Sequence, residues 1–170
     1  MPSKPERSHT VQLVPEASVP DRDRHHPETV VRKLLAMHRR IDDRIAILLK
    51  PDTALSAGTC GTVVRSCMDD FQFIHREEAR HIFPGLQAQT LQAVGGSQRL
   101  SGRMQMATLS RRLMALFEDM LENGGVPART NLVLARSVLK KALLIRHRHF
   151  YQPMLSASTA KARARNADAG

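Results

Sequence analysis

The sequence predicts an all-α protein in which four long helices form an up-down-up-down bundle. Aromatic side chains make up only 4% of the 170 residues, so aliphatic side chains and methionine must fill the core. That composition favours helices over a β-sandwich or a barrel. Apolar residues recur at three- and four-residue spacing in four segments, and no segment alternates as a half-buried strand does. Mostly short connections between the segments favour the simple bundle topology.

Two polar tails flank the predicted bundle. Residues 1–26 are rich in Pro, Ser, Asp and Arg and have no hydrophobic periodicity, which predicts a disordered tail. Residues 156–170 are small, polar and basic, and the same interpretation applies to them. The bundle is therefore expected to span residues 27–155.

The first predicted helix begins at Pro27, which suits a first helical turn, and ends before Pro51. Its inward stripe is Val31, Leu34, His38, Ile41, Ile45 and Leu48.

The second predicted helix covers about residues 59–89, and Pro84 should bend or interrupt it. Its inward stripe is Val64, Cys67, Phe71, Ile74, Glu78 and either His81 or Ile82.

The third and fourth helices are predicted over about residues 97–122 and 130–155. Between them, Asn123 and Gly124 begin a strong stop signal. The apolar side of the third helix is predicted as Leu100, Met104, Ala107, Met114, Phe117 and Leu121. That of the fourth is predicted as Leu132, Ala135, Leu139, Ala142 and Leu143, leading to His147, His149 and Phe150.

The balance of charge bears on the class of partner. A formal net charge of +10 points to an anionic partner, either an acidic protein or nucleic acid. The basic residues lie in the tails and along the helices without interleaved aromatic residues, so nucleic acid is the less favoured of the two. A nucleic-acid binder led by charge stays as a third functional hypothesis.

Cysteines and apolar runs indicate the compartment. Cys60 and Cys67 would lie about 10 Å apart along one helix, which is too far for a disulfide. The N-terminal segment lacks the apolar stretch of a signal peptide, and no run reaches the length of a membrane span. These features predict a soluble cytoplasmic protein.

The inward stripes carry polar side chains that need partners. A buried carboxylate such as Glu78 costs several kcal/mol unless it is paired or bound to a metal. His75 and His81 each lie three residues from Glu78, so either imidazole can reach the same point as its carboxylate. His147 and His149 point about 200° apart, so at most one of them faces inward. The sequence contains no nucleophile or phosphate-loop motif, and no catalytic residue is predicted.

Three segments carry a resemblance to a known family: LLAMHRRIDDRIAILL with His38, FQFIHREEARHIFPGL with His75 and Glu78, and LLIRHRHFYQPML with His147 and His149. In their order and separation, over about residues 28–155, the chain resembles the hemerythrin-like, or HHE cation-binding, proteins. The resemblance implies a four-helix bundle that holds a non-haem di-iron centre with histidine ligands and bridging carboxylates. It also implies oxygen or nitric oxide binding, or iron handling. His38 matches the first-helix ligand, and Glu78 matches the carboxylate ahead of Phe-Pro.

The ligand set departs from the family pattern. Ile74 stands where the second helix usually has a histidine, and the third predicted helix contains no histidine. Leu143 and His147 occupy the places of a histidine and a glutamate in the last helix, so the second carboxylate is missing. The remaining donors suit a single Zn²⁺ or Fe²⁺ ion, or a metal-free hydrogen-bonded core. They comprise His38, Glu78, one of His75 and His81, and one of His147 and His149.

Two main functional hypotheses follow. The first is a metal-binding protein that senses a diatomic gas or handles iron, with mono- or dinuclear iron or with zinc. The second is a degenerate family member without a di-iron centre, which acts as a regulatory or interaction module for an acidic partner. Neither hypothesis requires an enzymatic activity.

Overall fold

The computed structural model describes residues 26–51, 55–84, 86, 96–124 and 126–167. Within these ranges every regular element is helical and no strand occurs, as the sequence predicts. Helix α1 spans Pro27–Leu48, α2 Ala57–Glu77, α3 Gly96–Glu122, α4 Arg129–Arg146 and α5 Gln152–Ala167. Single π-helical turns, Glu78–Ile82 and His147–Tyr151, follow α2 and α4. None of the described helices combines the length and apolar character that crossing a bilayer requires.

The helices pack around one shared core. Helix α1 lies against α2 and α4, and α3 also lies against α2 and α4, so each of these four helices has two neighbours. Helix α5 continues the α4 rod through the second π turn and contacts α1. Ion pairs also join the helices: the half-exposed Arg136 donates from Nε to Asp42 Oδ1 at 2.7 Å, and Arg40 and Arg44 both pair with the buried Asp70.

The predicted stripes of α1 and α2 are buried almost as expected. In α1 the buried residues are Val30, Val31, Leu34, His38, Ile41 and Ile45, whereas the predicted Leu48 is only half-buried. In α2 and its π turn they are Cys60, Val64, Cys67, Asp70, Phe71, Ile74, Glu78 and Ile82. Ile82 rather than His81 therefore occupies the last stripe position. Both cysteines are free thiols, as their spacing predicts.

The predicted inward side of α3 is largely wrong. Of its predicted residues, Phe117 is buried, Met114 and Leu121 are half-buried, Met104 and Ala107 are exposed, and the side chain of Leu100 lies outside the described residues. From residue 101 onward the buried positions of α3 are Gly102, Met106, Ser110, Leu113, Phe117 and Met120. Because Met, Ala and Leu occur on several sides of this helix, its sequence pattern hardly distinguishes one register from the next. Packing against α2 and α4 selects the observed face.

The C-terminal segment also differs from the prediction. The sequence predicts a disordered tail from Ser156, but α5 continues to Ala167. Alternating alanines with Lys and Arg have high helix propensity, which explains how a polar segment extends the rod. The predicted N-terminal tail lies outside the described residues up to residue 25.

Candidate functional site

A fully buried ion pair links the α2 rod to the α4 rod. Glu78 is the first residue of the π turn after α2, and Arg146 is the last residue of α4; both side chains are 0% exposed. Arg146 Nε donates to Glu78 Oε1 at 2.8 Å. The Tyr151 hydroxyl donates to the same oxygen at 2.7 Å, so one carboxylate oxygen accepts two hydrogen bonds.

The rest of the guanidinium is surrounded by three helices. Arg146 Nη2 lies 3.2 Å from His75 Nε2 and 3.4 Å from Ser110 Oγ. The Phe71 ring stacks beside it, with the guanidinium carbon 5.1 Å from the ring centroid. Because guanidinium only donates, His75 Nε2 must accept, and the imidazole proton resides on Nδ1, 3.9 Å from Glu78 Oε2. We call His38, His75, Glu78, Ser110, Arg146 and Tyr151 the buried polar cluster.

The two π turns explain how the sequence brings these side chains together. Each turn closes with a bond from residue i+5 to residue i: Phe83 N–H to the Glu78 carbonyl, and Gln152 N–H to the His147 carbonyl. Proline follows at once in both cases, as Pro84 and Pro153. Since proline lacks an N–H and crowds the carbonyl four residues earlier, it disfavours an ordinary α-helical turn there.

The wider turn has a direct consequence for the site. In an α-helix, Arg146 and Tyr151 would point about 140° apart, because successive residues are rotated by about 100°. A π turn bonds residues five apart and lets both side chains face Glu78. The two turns also pack on each other, with the Phe83 and Phe150 rings edge-to-face at 5.5 Å.

The two histidines of the cluster are held neutral. Burial, followed by the nearby charges of Arg146 and His75, lowers the pKa of His38 to about 3. Burial and then Arg146 lower the pKa of His75 to about 4. His38 lies edge-on to the Phe71 ring, with centroids 6.4 Å apart, and Phe71 in turn lies edge-on to His75 at 4.9 Å.

Burial also shifts the pKa values of the two acidic groups in the cluster, Glu78 and Tyr151. Burial raises the pKa of the Glu78 carboxyl, while Arg146 and the Tyr151 hydroxyl oppose this change by favouring the carboxylate. Burial first, and then Glu78, raise the pKa of Tyr151, so its phenol keeps the proton that it donates.

Several polar atoms of the cluster have no hydrogen-bond partner. Across the described part of the chain, the buried side-chain atoms in this state are His38 Nδ1 and Nε2, Glu78 Oε2 and Arg146 Nη1. A buried unpartnered group of this kind costs about 1–3 kcal/mol. All four atoms belong to the buried polar cluster, so the loss of stability from unpartnered groups is concentrated at one place in the bundle.

The donor set does not fit a metal ion in this conformation. No group of three or more His, Cys, Asp or Glu side chains within the described ranges is arranged to hold one. The guanidinium of Arg146 is permanently charged and lies against Glu78, the carboxylate that a metal would need. A second cation at that point would be repelled by Arg146 and would have to displace it.

The structure separates the predicted site residues into two sets. His38, His75 and Glu78 belong to the buried polar cluster. His147 is exposed, and His149 is half-buried against α3, where its ring lies 2.8 Å from the position that a Cβ on Gly102 would take. His81 is half-buried within the first π turn. The inward position of the fourth helix at this level is Arg146 rather than either histidine.

Sequence reasoning missed Arg146, Ser110 and Tyr151. Arg146 could have been found, because it lies four residues after Ala142 and seven after Leu139, on the predicted inward stripe. Tyr151 had no such signal, since its inward direction depends on the π turn. Ser110 was missed together with the register of α3.

Comparisons with known proteins add no family assignment. No protein-family model matches the chain, and neither curated proteins nor solved structures show a significant match to it.

Proposed function

We propose that this chain is a metal-free bundle of the hemerythrin-like kind, with up-down-up-down topology, which acts as a regulatory or interaction module for an acidic partner. The observation that carries the proposal is the buried Arg146, whose Nε lies 2.8 Å from Glu78 Oε1. The guanidinium supplies the positive charge that the carboxylate requires, in the place of a metal ion. Fully buried on both sides, the pair offers no surface to a substrate.

The distribution of charge supports an acidic partner. From Arg129 to Ala167 the chain has nine Lys and Arg residues and no Asp or Glu, whereas acidic residues occur in each of α1, α2 and α3. Arg136 and Arg146 are neutralised by Asp42 and Glu78. Lys140, Lys141 and Arg148 remain exposed on the α4 rod. The rod from Arg129 to Ala167 therefore carries an excess of positive charge, which can attract a negatively charged surface.

Metal binding is the competing function, and one observation favours it. Both ring nitrogens of His38 and Glu78 Oε2 are buried without partners, and unpartnered imidazole and carboxylate atoms are what a metal ion would use. A rearrangement that moved Arg146 away would be needed before these donors could coordinate.

Metal content after reconstitution distinguishes the two functions. We expect untagged protein incubated with Fe²⁺ or Zn²⁺ to retain less than about 0.1 equivalent after desalting. Arg146→Glu, which replaces the cation by a second carboxylate, should retain more metal, while the surface change Arg136→Glu should not. About one equivalent bound by the wild type, and lost in His38→Ala with helicity intact, would refute the proposal.

A further inference from the structure

A surface groove between α3 and α4 has an apolar floor that the bundle leaves open. Its volume is about 330 Å³, and it is lined by Met104, Gln105, Thr108, Leu109, Lys141 and Ile145. Met104 is 66% exposed, although it belongs to a helix whose other face is buried. Leu144, next to Ile145 on α4, is 68% exposed. Met104 is thus a largely exposed apolar side chain within the groove, and Leu144 lies outside its lining, one turn from Lys141 on the surface of α4.

The surroundings of the groove carry positive charge. Lys141 lines it, and Arg148, in the π turn that follows α4, is exposed about one turn from Leu144. Lys141, Leu144 and Arg148 follow each other at three- and four-residue spacing, so they share one face of the helix. On α3, Arg111 and Arg112 are exposed one turn beyond Thr108. No acidic residue occurs anywhere in α4.

We propose that this groove is the docking site for an acidic amphipathic helix of a partner protein. The inference rests on the proposed function, since it specifies the surface and the partner class of that interaction module. Leucine-like side chains of the partner enter the groove against Met104, Leu109 and Ile145, and the same helix covers Leu144 next to it. Its carboxylates pair with Lys141 and Arg148 at the edge. This is the helix-in-groove mode of recognition, in which apolar anchors recur on one face of the bound helix.

The chemistry of the groove distinguishes a protein helix from other partners. Nucleic acid would meet methionine, leucine and isoleucine instead of the aromatic side chains on which bases stack. A second copy of this chain would bring two basic faces together if the same surfaces met, and like charges across an interface oppose association. An acidic helix satisfies both the apolar floor and the positive edge.

Fluorescence anisotropy with defined probes tests the proposal. The main probe is a labelled peptide of about 18 residues, or five helical turns, made of leucine and glutamate in an amphipathic order. The control peptide has lysine in place of glutamate, and a DNA duplex of about 20 base pairs of random sequence represents nucleic acid. We expect the full-length protein to bind the glutamate peptide more tightly than either control probe.

Matched variants locate the binding site. Lys141→Glu should weaken binding of the glutamate peptide at least about tenfold. The same substitution at the exposed Lys50 should weaken binding less than about threefold, because screening limits its influence at a distance. Leu144→Ser should likewise weaken binding about tenfold, whereas Ile47→Ser, at a side chain 45% exposed on α1, should leave it unchanged within twofold. Circular dichroism verifies that all four variants keep their helicity.

Several outcomes would overturn the proposal. An equal loss in Lys50→Glu would mean attraction by total charge, and tighter binding of the DNA would identify nucleic acid as the partner class. Binding of the lysine peptide as strongly as the glutamate peptide, or no complex with the glutamate peptide at low salt, would also reject it. So would a Leu144→Ser variant that changes the mass in light scattering, since the groove would then join copies of this chain. Because metal content is measured on the same preparations, a metal-loaded protein that still binds the peptide would reject the metal-free function but retain the groove.

Discussion

Arg146 is unusual among charged residues because its side chain is wholly buried and still forms an ion pair. It compensates Glu78, contacts the Phe71 ring and donates toward His75 and Ser110, so its loss affects side chains from α2 and α3 as well as its own helix. Removing one member of a buried pair leaves the other as an uncompensated charge, which is far more costly than removing an exposed pair.

Substitution of Arg146 should therefore be severely destabilising. We expect Arg146→Met to lower the free energy of unfolding by about 3–5 kcal/mol, measured by urea denaturation. The matched change Arg136→Met removes a half-exposed ion pair with Asp42 and should cost only about 0–1 kcal/mol. The double variant Arg146→Met/Glu78→Gln should be more stable than Arg146→Met alone, because no unpaired carboxylate remains. If Arg146→Met and Arg136→Met lower the free energy of unfolding equally, the buried Arg146–Glu78 pair does not stabilise the core as described.

The neutral histidines predict a dependence of stability on pH. His38 has a pKa of about 3 in the folded protein, against 6.5 for the ordinary side chain, so the unfolded chain binds more protons between these values. The stabilisation is complete above pH 6.5 and is lost as the pH falls; His75, with a pKa of about 4, acts in the same direction. Glu78 acts oppositely, because its raised pKa favours proton uptake by the folded state.

A histidine variant isolates this effect from the contribution of Glu78. Between pH 6.5 and pH 5, His38 should account for about 2 kcal/mol of lost stability. His38→Leu should reduce the pH dependence by that amount when urea denaturation of both proteins is compared across this range. An unchanged slope would show that His38 is protonated in the folded protein, despite Arg146 on α4 and His75 on α2 beside it.

At the scale of helices, the close approach of α3 to the second π turn depends on one glycine. A Cβ on Gly102 would lie 2.8 Å from His149 Cγ and 3.2 Å from His149 Cβ. Two effects therefore compete when a side chain is added there. Helix propensity favours alanine over glycine by up to about 1 kcal/mol, but forcing the helices apart costs about 1–3 kcal/mol.

We expect steric crowding to prevail at this contact. Gly102→Ala should lower the melting temperature, and Gly102→Ala/His149→Ala should restore part of the loss by removing the ring. Gly61→Ala in α2 is the matched control, because its Cβ would make only ordinary contacts, with the flexible end of Arg65 at 3.5 Å and with Leu121 Cδ2 at 4.0 Å. That variant should be stabilised by up to about 1 kcal/mol. A stabilised Gly102→Ala protein would mean that His149 moves aside without cost.

The elements also show where periodicity was sufficient to predict structure. The stripes of α1 and α2 follow three- and four-residue spacing with polar residues between them, so His38 and Glu78 were predicted on buried faces correctly. The apolar residues of α3 surround the helix, and Met104 was assigned to the wrong side. Tyr151 could not be predicted with a period of 3.6 residues, because the π turn shifts it onto the face of Arg146.

For the whole molecule, the buried guanidinium of Arg146 affects how stability should depend on metal concentration. A ligand that binds only the folded state raises stability in proportion to the logarithm of its concentration. The metal-free function that we propose predicts that a bundle closed by the Arg146–Glu78 pair does not gain this contribution from a metal. Apart from the buried Arg146, exposed basic side chains of the last helical rod lie outside the core, on the surface that we propose for an acidic partner.

Thermal unfolding with and without metal measures this consequence. We expect the melting temperature to change by less than about 1 °C between excess chelator and saturating Zn²⁺ or Fe²⁺, because Arg146 already compensates the Glu78 carboxylate that a metal would need. Arg146→Glu supplies the positive control, because a created site should make its melting temperature rise with metal concentration. A wild-type melting temperature that rises with metal would instead support the metal-binding function.

Local spacing in the sequence determined the helical class, most helix bounds and the burial of His38 and Glu78, because these depend on which residues recur on one face of a single helix. Only the tertiary structure decided what those polar side chains contact. Arg146, Tyr151 and Ser110 come from the α4 rod and α3, far from Glu78 in the chain, and their convergence depends on helix packing and on two π turns before prolines. The Arg146–Glu78 pair is thus a property of the assembled bundle, since a single helix contains only one side of it.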